Sequence, residues 1–227
     1  MARDTMSRVA SLFAVLATAL LACGSSGGID RTVYTTNVCS GNAWSPLAGV
    51  VPAVPGTYVA LLMKSDLGGG TPTPQVTSSV GTPCASAPDA VACKAALASA
   101  TVKTAAWSTQ RCGGAGCNVT QQFFVTEKGG VVTVIETLEA LRAAIAPVDG
   151  AAEAVLLAVY STTDPSGMDC SQAQARAVAN GGWEVFLGDG DGKCSDRRER
   201  RMQVTVDGAV STLESTTKKA TDTCIYP

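Results

Sequence analysis

Hydrophobic positions fall into three regimes along the chain. Val9 to Leu21 is an apolar run in which only Ser11 and Thr18 are polar. It is shorter than the roughly 20 residues a helix needs to cross a bilayer core. Ile29 to Thr57 shows no sustained period, and Pro46, Pro52 and Pro55 interrupt any long element there. Beyond Thr57, strand-like segments alternate with helical periods. Thr57 to Met63 reads as a strand, and Gly68-Gly-Gly70 with Pro72-Thr-Pro74 as a loop running to Pro83. Pro88 and Asp89 suit the first turn of a helix on which Cys93, Ala96, Leu97 and Ala100 share one face. A cysteine on that face suggests that the helix is stapled to the body.

The second half is more regular. Gln121 to Thr126 and Val131 to Ile135 are strand-like, and Glu127-Lys-Gly-Gly130 supplies the glycines of a hairpin turn. Leu138, Leu141 and Ile145 mark a helix ended by Pro147. Asp149 is placed to cap the next, which shows Ala152, Val155, Leu156, Val159 and Tyr160 on one face. That is the most apolar helix after the N-terminal run, and so the expected core element. From Cys170 the period drops to two: Gln172, Gln174 and Arg176 alternate with Ala173, Ala175 and Ala177. Alanine favours helix, but Asn180-Gly181 is a hairpin signal and Trp183 to Leu187 follows as a strand, so a strand is expected. Arg201 to Val206 alternates again with Met202, Val204 and Val206 on one face, Asp207-Gly208 turns, and Ala209 to Thr216 returns. The expected fold class is α+β: antiparallel sheet with a C-terminal meander, packed helices and disulfide staples.

Arg3 and Arg8, tempered by Asp4, precede the apolar run, giving the build of an export signal. Leu20-Leu21-Ala22-Cys23 resembles the lipobox of bacterial lipoproteins. The resemblance implies cleavage before Cys23, a diacylglycerol on its sulfur and a palmitate-type acyl group on its amine. Several chains together anchor stably where one does so only marginally. It divides the chain into a signal peptide (1–22), a lipidated tether (23–29) that includes the flexible Gly24-Ser-Ser-Gly-Gly28, and one α+β ectodomain (30–227). Gly24 is not the aspartate associated with inner-membrane retention. The implied address is therefore the outer membrane, periplasmic or surface-facing, with the lipid as the membrane contact.

Composition narrows the chemistry. A net charge of −2 gives no basic excess for nucleic acid. There is no histidine, which excludes a Ser-His-Asp triad, a Cys-His pair and His-ligated zinc or haem. No phosphate loop, nucleophile elbow or dinucleotide fingerprint occurs, so no cofactor is expected. Setting Cys23 aside, Cys39, Cys84, Cys93, Cys112, Cys117, Cys170, Cys194 and Cys224 form an even set, suited to disulfides in an oxidising compartment. Cys170 with Cys194, or Cys194 with Cys224, would flank a hairpin of the meander.

Several local patterns invite chemistry. Cys112-Gly-Gly-Ala-Gly-Cys117 has neither redox-motif nor zinc-knuckle spacing and reads as a disulfide-closed loop. Asp189-Gly-Asp191-Gly-Lys193 suggests calcium. In a twelve-residue loop, however, Cys194 would replace the glycine and Arg200 the closing glutamate, so a polar hairpin loop is expected. Arg197-Arg-Glu-Arg-Arg201 lies among Asp189, Asp191, Asp196 and Glu199 and reads as a solvated loop entering a strand; the competing reading is contact with anionic lipid or polysaccharide. Asn118-Val-Thr120 matches a glycosylation sequon that a bacterial lipoprotein gives no weight. Glu136, Glu139 and Glu153 offer carboxylates for glycoside hydrolysis, against the plainer reading of exposed helix faces. Trp44 reads as a lid over the core.

Residues 121 to 224, with their hairpin, two helices, meander and closing cysteine, also resemble an uncharacterised group of bacterial cell-envelope lipoproteins. The group brings no catalytic residues with it. The expected function is a non-enzymatic, lipid-anchored envelope protein that binds or supports an envelope partner. Its rivals are an exported enzyme using carboxylates or a free thiol, and a calcium-stabilised adhesion module needing Asp189 and Asp191 to converge.

Overall fold

The computed structural model describes residues 29–38, 45–66, 73–103, 107–113, 116–162, 168–179, 181–189 and 196–220. The side chains of 65–66, 108–113, 116–119 and 168–172 lie outside that description. Three helices are present among these residues: α1 (Ala90–Ala98), α2 (Leu138–Ile145) and α3 (Ala151–Tyr160). The strands are β1 (Thr36–Asn37), β2 (Tyr58–Asp66), β3 (Gln75–Val80), β4 (Trp107–Gly113), β5 (Gly116–Lys128), β6 (Val131–Ile135), β7 (Met168–Ala177), β8 (Trp183–Asp189), β9 (Arg197–Val204) and β10 (Val210–Lys218). They form two antiparallel sheets, confirming the α+β class. A C-terminal sheet runs β1-β7-β8-β9-β10, and a central sheet runs β3-β2-β5-β4 with β6 also on β5.

The sequence of α3 dictates how the sheets meet. A helix that is apolar all round must be covered on every side, and Ala154 through Val159 are fully buried. The C-terminal sheet contributes Ala173, Ala175, Val185, Leu187, Met202 and Val204 to its surroundings; the central sheet contributes Val59, Leu61, Phe124 and Ile135. Alanines on both α3 and β7 suit close approach, and they explain why the alternating alanine segment serves as a strand. At the C-terminal end of α3, Trp107 Nε1–H donates to the Tyr160 carbonyl at 2.9 Å. Trp107, Phe124 and Tyr160 meet edge-to-face with centroids 4.7 to 5.6 Å apart.

β2 is buried on both faces, as its continuous apolar run requires. Val59 and Leu61 join the main core, while Tyr58, Ala60 and Leu62 join Phe123 and Val125 on the outer side. α1 packs over that outer side through Leu97 and is joined to the preceding turn by the Cys84–Cys93 disulfide. The outer side of the C-terminal sheet is covered by the entering chain: Ile29 and Tyr34 bury Phe186, and the Arg31 guanidinium lies 4.5 Å from the Phe186 ring centroid. Ile29, read above as the end of the tether, thus packs as part of the body.

The meander is antiparallel from β7 to β10, and α1, α2, α3 and the β5–β6 hairpin fall where their periods place them. Four local expectations are corrected. The segment before Pro83 holds β3, an edge strand. Its signal is hidden because Ser78 is the residue that turns inward, accepting the Leu47 N–H at 3.0 Å. β5 begins earlier than expected because β4 pairs with its first half. Asp149 does not cap α3. Gly150 occupies that position, since the Glu153 carboxylate curls back into the space: a Cβ on Gly150 would lie 2.6 Å from Glu153 Oε2. Finally, Arg197 to Arg201 open β9 instead of forming a loop. Antiparallel neighbours bring counter-charges alongside, pairing Arg200 with Asp189 at 3.3 Å and Lys218 with Glu199 at 3.2 Å. Trp44 lies outside the described residues.

Candidate functional site

The site begins with a turn and a helix end. Thr205, Val206, Asp207 and Gly208 connect β9 to β10, closed by Gly208 N–H to the Thr205 carbonyl at 2.8 Å and Thr205 N–H to the Ala209 carbonyl at 3.0 Å. The Thr205 hydroxyl donates to the Asp207 carboxylate. Gly208 has φ +81°, and a Cβ there would fall 2.7 Å from Arg142 Cγ and 3.1 Å from Leu157 Cδ1. Glycine therefore lets the turn lie against α2, where Arg142 reaches across to Asp207 at 3.3 Å. Val148 N–H donates to the Val206 carbonyl at 2.8 Å, holding the chain after Pro147 to the same turn.

Between these elements lies an open cleft of about 890 Å³. Glu139 and Arg142 stand on one side and Gln203, Thr205 and Asp207 on the other, while Ala143, Ala146 and Val206 give apolar surface. The Thr205 hydroxyl, followed by the Arg142 charge, holds the Asp207 carboxyl below the usual carboxylate range. Asp207 is consequently ionised at neutral pH. An exposed anion–cation pair, an amide and apolar side chains therefore share this cleft.

The other sequence candidates are dispersed. Glu136 accepts from Lys103 N–H, and Glu153 accepts from Val51 N–H at 2.8 Å. Only Glu139 of that trio reaches the cleft. Asp189 is engaged by its own sheet: it accepts the Arg198 N–H at 3.1 Å and pairs with Arg200. Asp191 lies outside the described residues, as do Cys23, Cys39, Cys194 and Cys224. Cys170 is placed by its backbone in β7, and its side chain lies outside the description. Backbone register sets Cys112 opposite Cys117 across the β4–β5 hairpin, their side chains again outside the description.

Cys84, Cys93 and Glu127 bring their ligand atoms within 4.8 Å of one another. Both sulfurs are joined in the disulfide, which leaves no thiolate to bind a metal. Glu127 is instead a clamp: buried, it accepts Cys84 N–H and Gly130 N–H, each at 2.8 Å. The sequence carries no signal for the Arg142–Asp207 pair, because helix and turn are distant in the chain. Comparison with protein-family models, with curated proteins and with solved structures finds no match to this chain.

Proposed function

We propose that this is a lipid-anchored cell-envelope protein, held at the membrane through Cys23, whose α2–turn cleft receives a polar envelope component. The observation that carries the binding role is the Arg142–Asp207 pair, set in place by Gly208 and Thr205 before any ligand arrives. Preorganisation of this kind lowers the ordering cost of binding. The Cys84–Cys93 disulfide supports an oxidising, exported setting.

The test is a photo-crosslinking residue at Gln203 in cells producing the full chain. A defined envelope adduct that disappears with Arg142→Ala is the expected result. No adduct, or the same adduct from a probe at the exposed Val33 on the entering segment, overturns the cleft reading. Metabolic labelling with an alkynyl palmitate is expected to mark the wild type and leave Cys23→Ser unlabelled.

One observation favours a second reading. Glu139 and Asp207 line the same cleft, and a carboxylate hydrolase works with two acids in one cleft. In that case Glu139→Gln abolishes turnover of the crosslinked component, whereas a binding protein shows none to lose.

A further inference from the structure

A second concavity, separate from the cleft, lies on the opposite side of the central sheet, between α1 and the β2–β3 face. It encloses about 340 Å³, within the roughly 300–1,000 Å³ of small-molecule pockets. Ala60, Leu62 and Val125 lie beneath it with almost no exposed surface, so its accessible apolar lining is Pro74, Val76, Leu97 and Ala98. Leu97 of α1 forms one wall and Val76 of the edge strand the other. Val76 is 55% exposed, a large apolar side chain at an open rim. Among the described residues of the lining, Lys94 is the one ionised side chain, and it is exposed on α1. Among the described residues it forms no ion pair.

An apolar lining with one unpaired cation at its edge selects its occupant chemically. A polar ligand would lose hydration on the lining without recovering hydrogen bonds. A wholly apolar one would leave Lys94 unused. We propose that this groove binds a medium-chain fatty acid, its alkyl chain against Val76, Leu97 and Ala98 above the buried base and its carboxylate at Lys94 Nζ. The Cys84–Cys93 disulfide then has a functional consequence, because it fixes the helix that forms one wall.

The test uses the full chain carrying Cys23→Ser, which removes any covalent acyl group, and dansylated undecanoic acid as the probe. Saturable one-to-one enhancement of dansyl emission is expected, displaced by decanoate and about fivefold less effectively by decanol, the ratio a partly exposed ion pair supports. Lys94→Met, on an exposed helix position, is expected to weaken decanoate about fivefold and leave decanol unchanged. Val76→Asp, at the exposed rim, is expected to weaken both. Near-ultraviolet circular dichroism and thermal midpoints like the wild type's establish that the variants fold.

Absence of saturable enhancement overturns the proposal. So does equal competition by decanoate and decanol, or an unchanged decanoate affinity in Lys94→Met. Equal competition would assign the groove to an uncharged apolar group, such as a side chain of a partner protein.

Discussion

Breaking the Cys84–Cys93 bridge is the perturbation whose effect is most directly worked from the structure. The bonded residues are nine apart in sequence. Closing so short a loop removes about 2.6 kcal/mol of unfolded-chain entropy in the loop-closure treatment. Replacing both buried sulfurs by alanine removes roughly a further 1 kcal/mol of packing, so Cys84→Ala/Cys93→Ala is expected to lose about 3–4 kcal/mol. The backbone at position 84 refines the expectation. Cys84 has φ +58°, the left-handed region that costs a side-chain-bearing residue roughly 1 kcal/mol and glycine almost nothing. Cys84→Gly/Cys93→Ala is therefore expected to recover about 1 kcal/mol of the loss. Urea denaturation gives the comparison, with midpoints falling in the order wild type, glycine double variant, alanine double variant. Hydrogen exchange locates the effect: the amide at position 93, which donates to the carbonyl of Asp89 at the start of α1, should lose protection first. A midpoint for the alanine variant within about 1 kcal/mol of wild type refutes the loop-closure reasoning. A glycine variant no better than the alanine one refutes the backbone argument.

Three further outcomes follow from the geometry. Gly208→Ala is expected to cost about 2 kcal/mol in thermal or urea unfolding, because its Cβ meets both Arg142 and Leu157 at a positive φ; stability equal to wild type would refute the close approach. Asp207 has a folded-state carboxyl held below the ordinary aspartate range by the Thr205 hydroxyl and the Arg142 charge, so its contribution to stability is full above the unfolded value and lost as pH falls through the folded one. Carbon-detected NMR titration should place its midpoint below that of an unstructured aspartate, and Thr205→Val, which removes the donor but keeps the shape, should raise it. Peptide mapping of the protein, alkylated without reductant, is expected to recover Cys112 joined to Cys117, as their backbone register implies; free thiols at both positions would rule this out.

What the sequence made legible tracks how local each signal is. α2 was readable because Leu141 and Ile145 recur on one face and Pro147 stops the helix, and both are fully buried. The meander was readable because the alternation of Met202 and Val204 survives between two turn signals. Failures occurred where a distant residue supplies the deciding contact. Ser78 makes β3 a strand by bonding to Leu47, and no periodicity within Gln75–Val80 announces that. The arginines of β9 look like a solvated loop until Asp189 and Glu214 are brought beside them by strands on either side. The cleft was illegible for the same reason. Arg142 and Asp207 are 65 residues apart, and the tertiary fold, with the Val148–Val206 backbone bond and the close approach of Gly208, makes them neighbours.

The acidic residues show how that blindness bears on function. Carboxylates invited a catalytic reading, yet the three buried glutamates, Glu127, Glu153 and Glu199, each tie together segments that chain order separates. Glu127 binds the turn at Cys84 to the β5–β6 hairpin, Glu153 binds the irregular segment at Val51 to the start of α3, and Glu199 draws Lys218 of β10 to β9. Glu127 uses both of its oxygens for backbone N–H groups, while Glu153 and Glu199 each engage one, and a hydrogen bond to a charged group is worth about 1.5–3 kcal/mol. Burial marks a structural commitment, since an acid enclosed by its own fold is out of a substrate's reach. Glu139 and Asp207 differ in facing an open cleft, and Asp207 spends its hydrogen bonds on fixing Arg142 and the turn. Among these acids, Glu139 keeps its carboxylate in an open cleft between α2 and the β9–β10 turn.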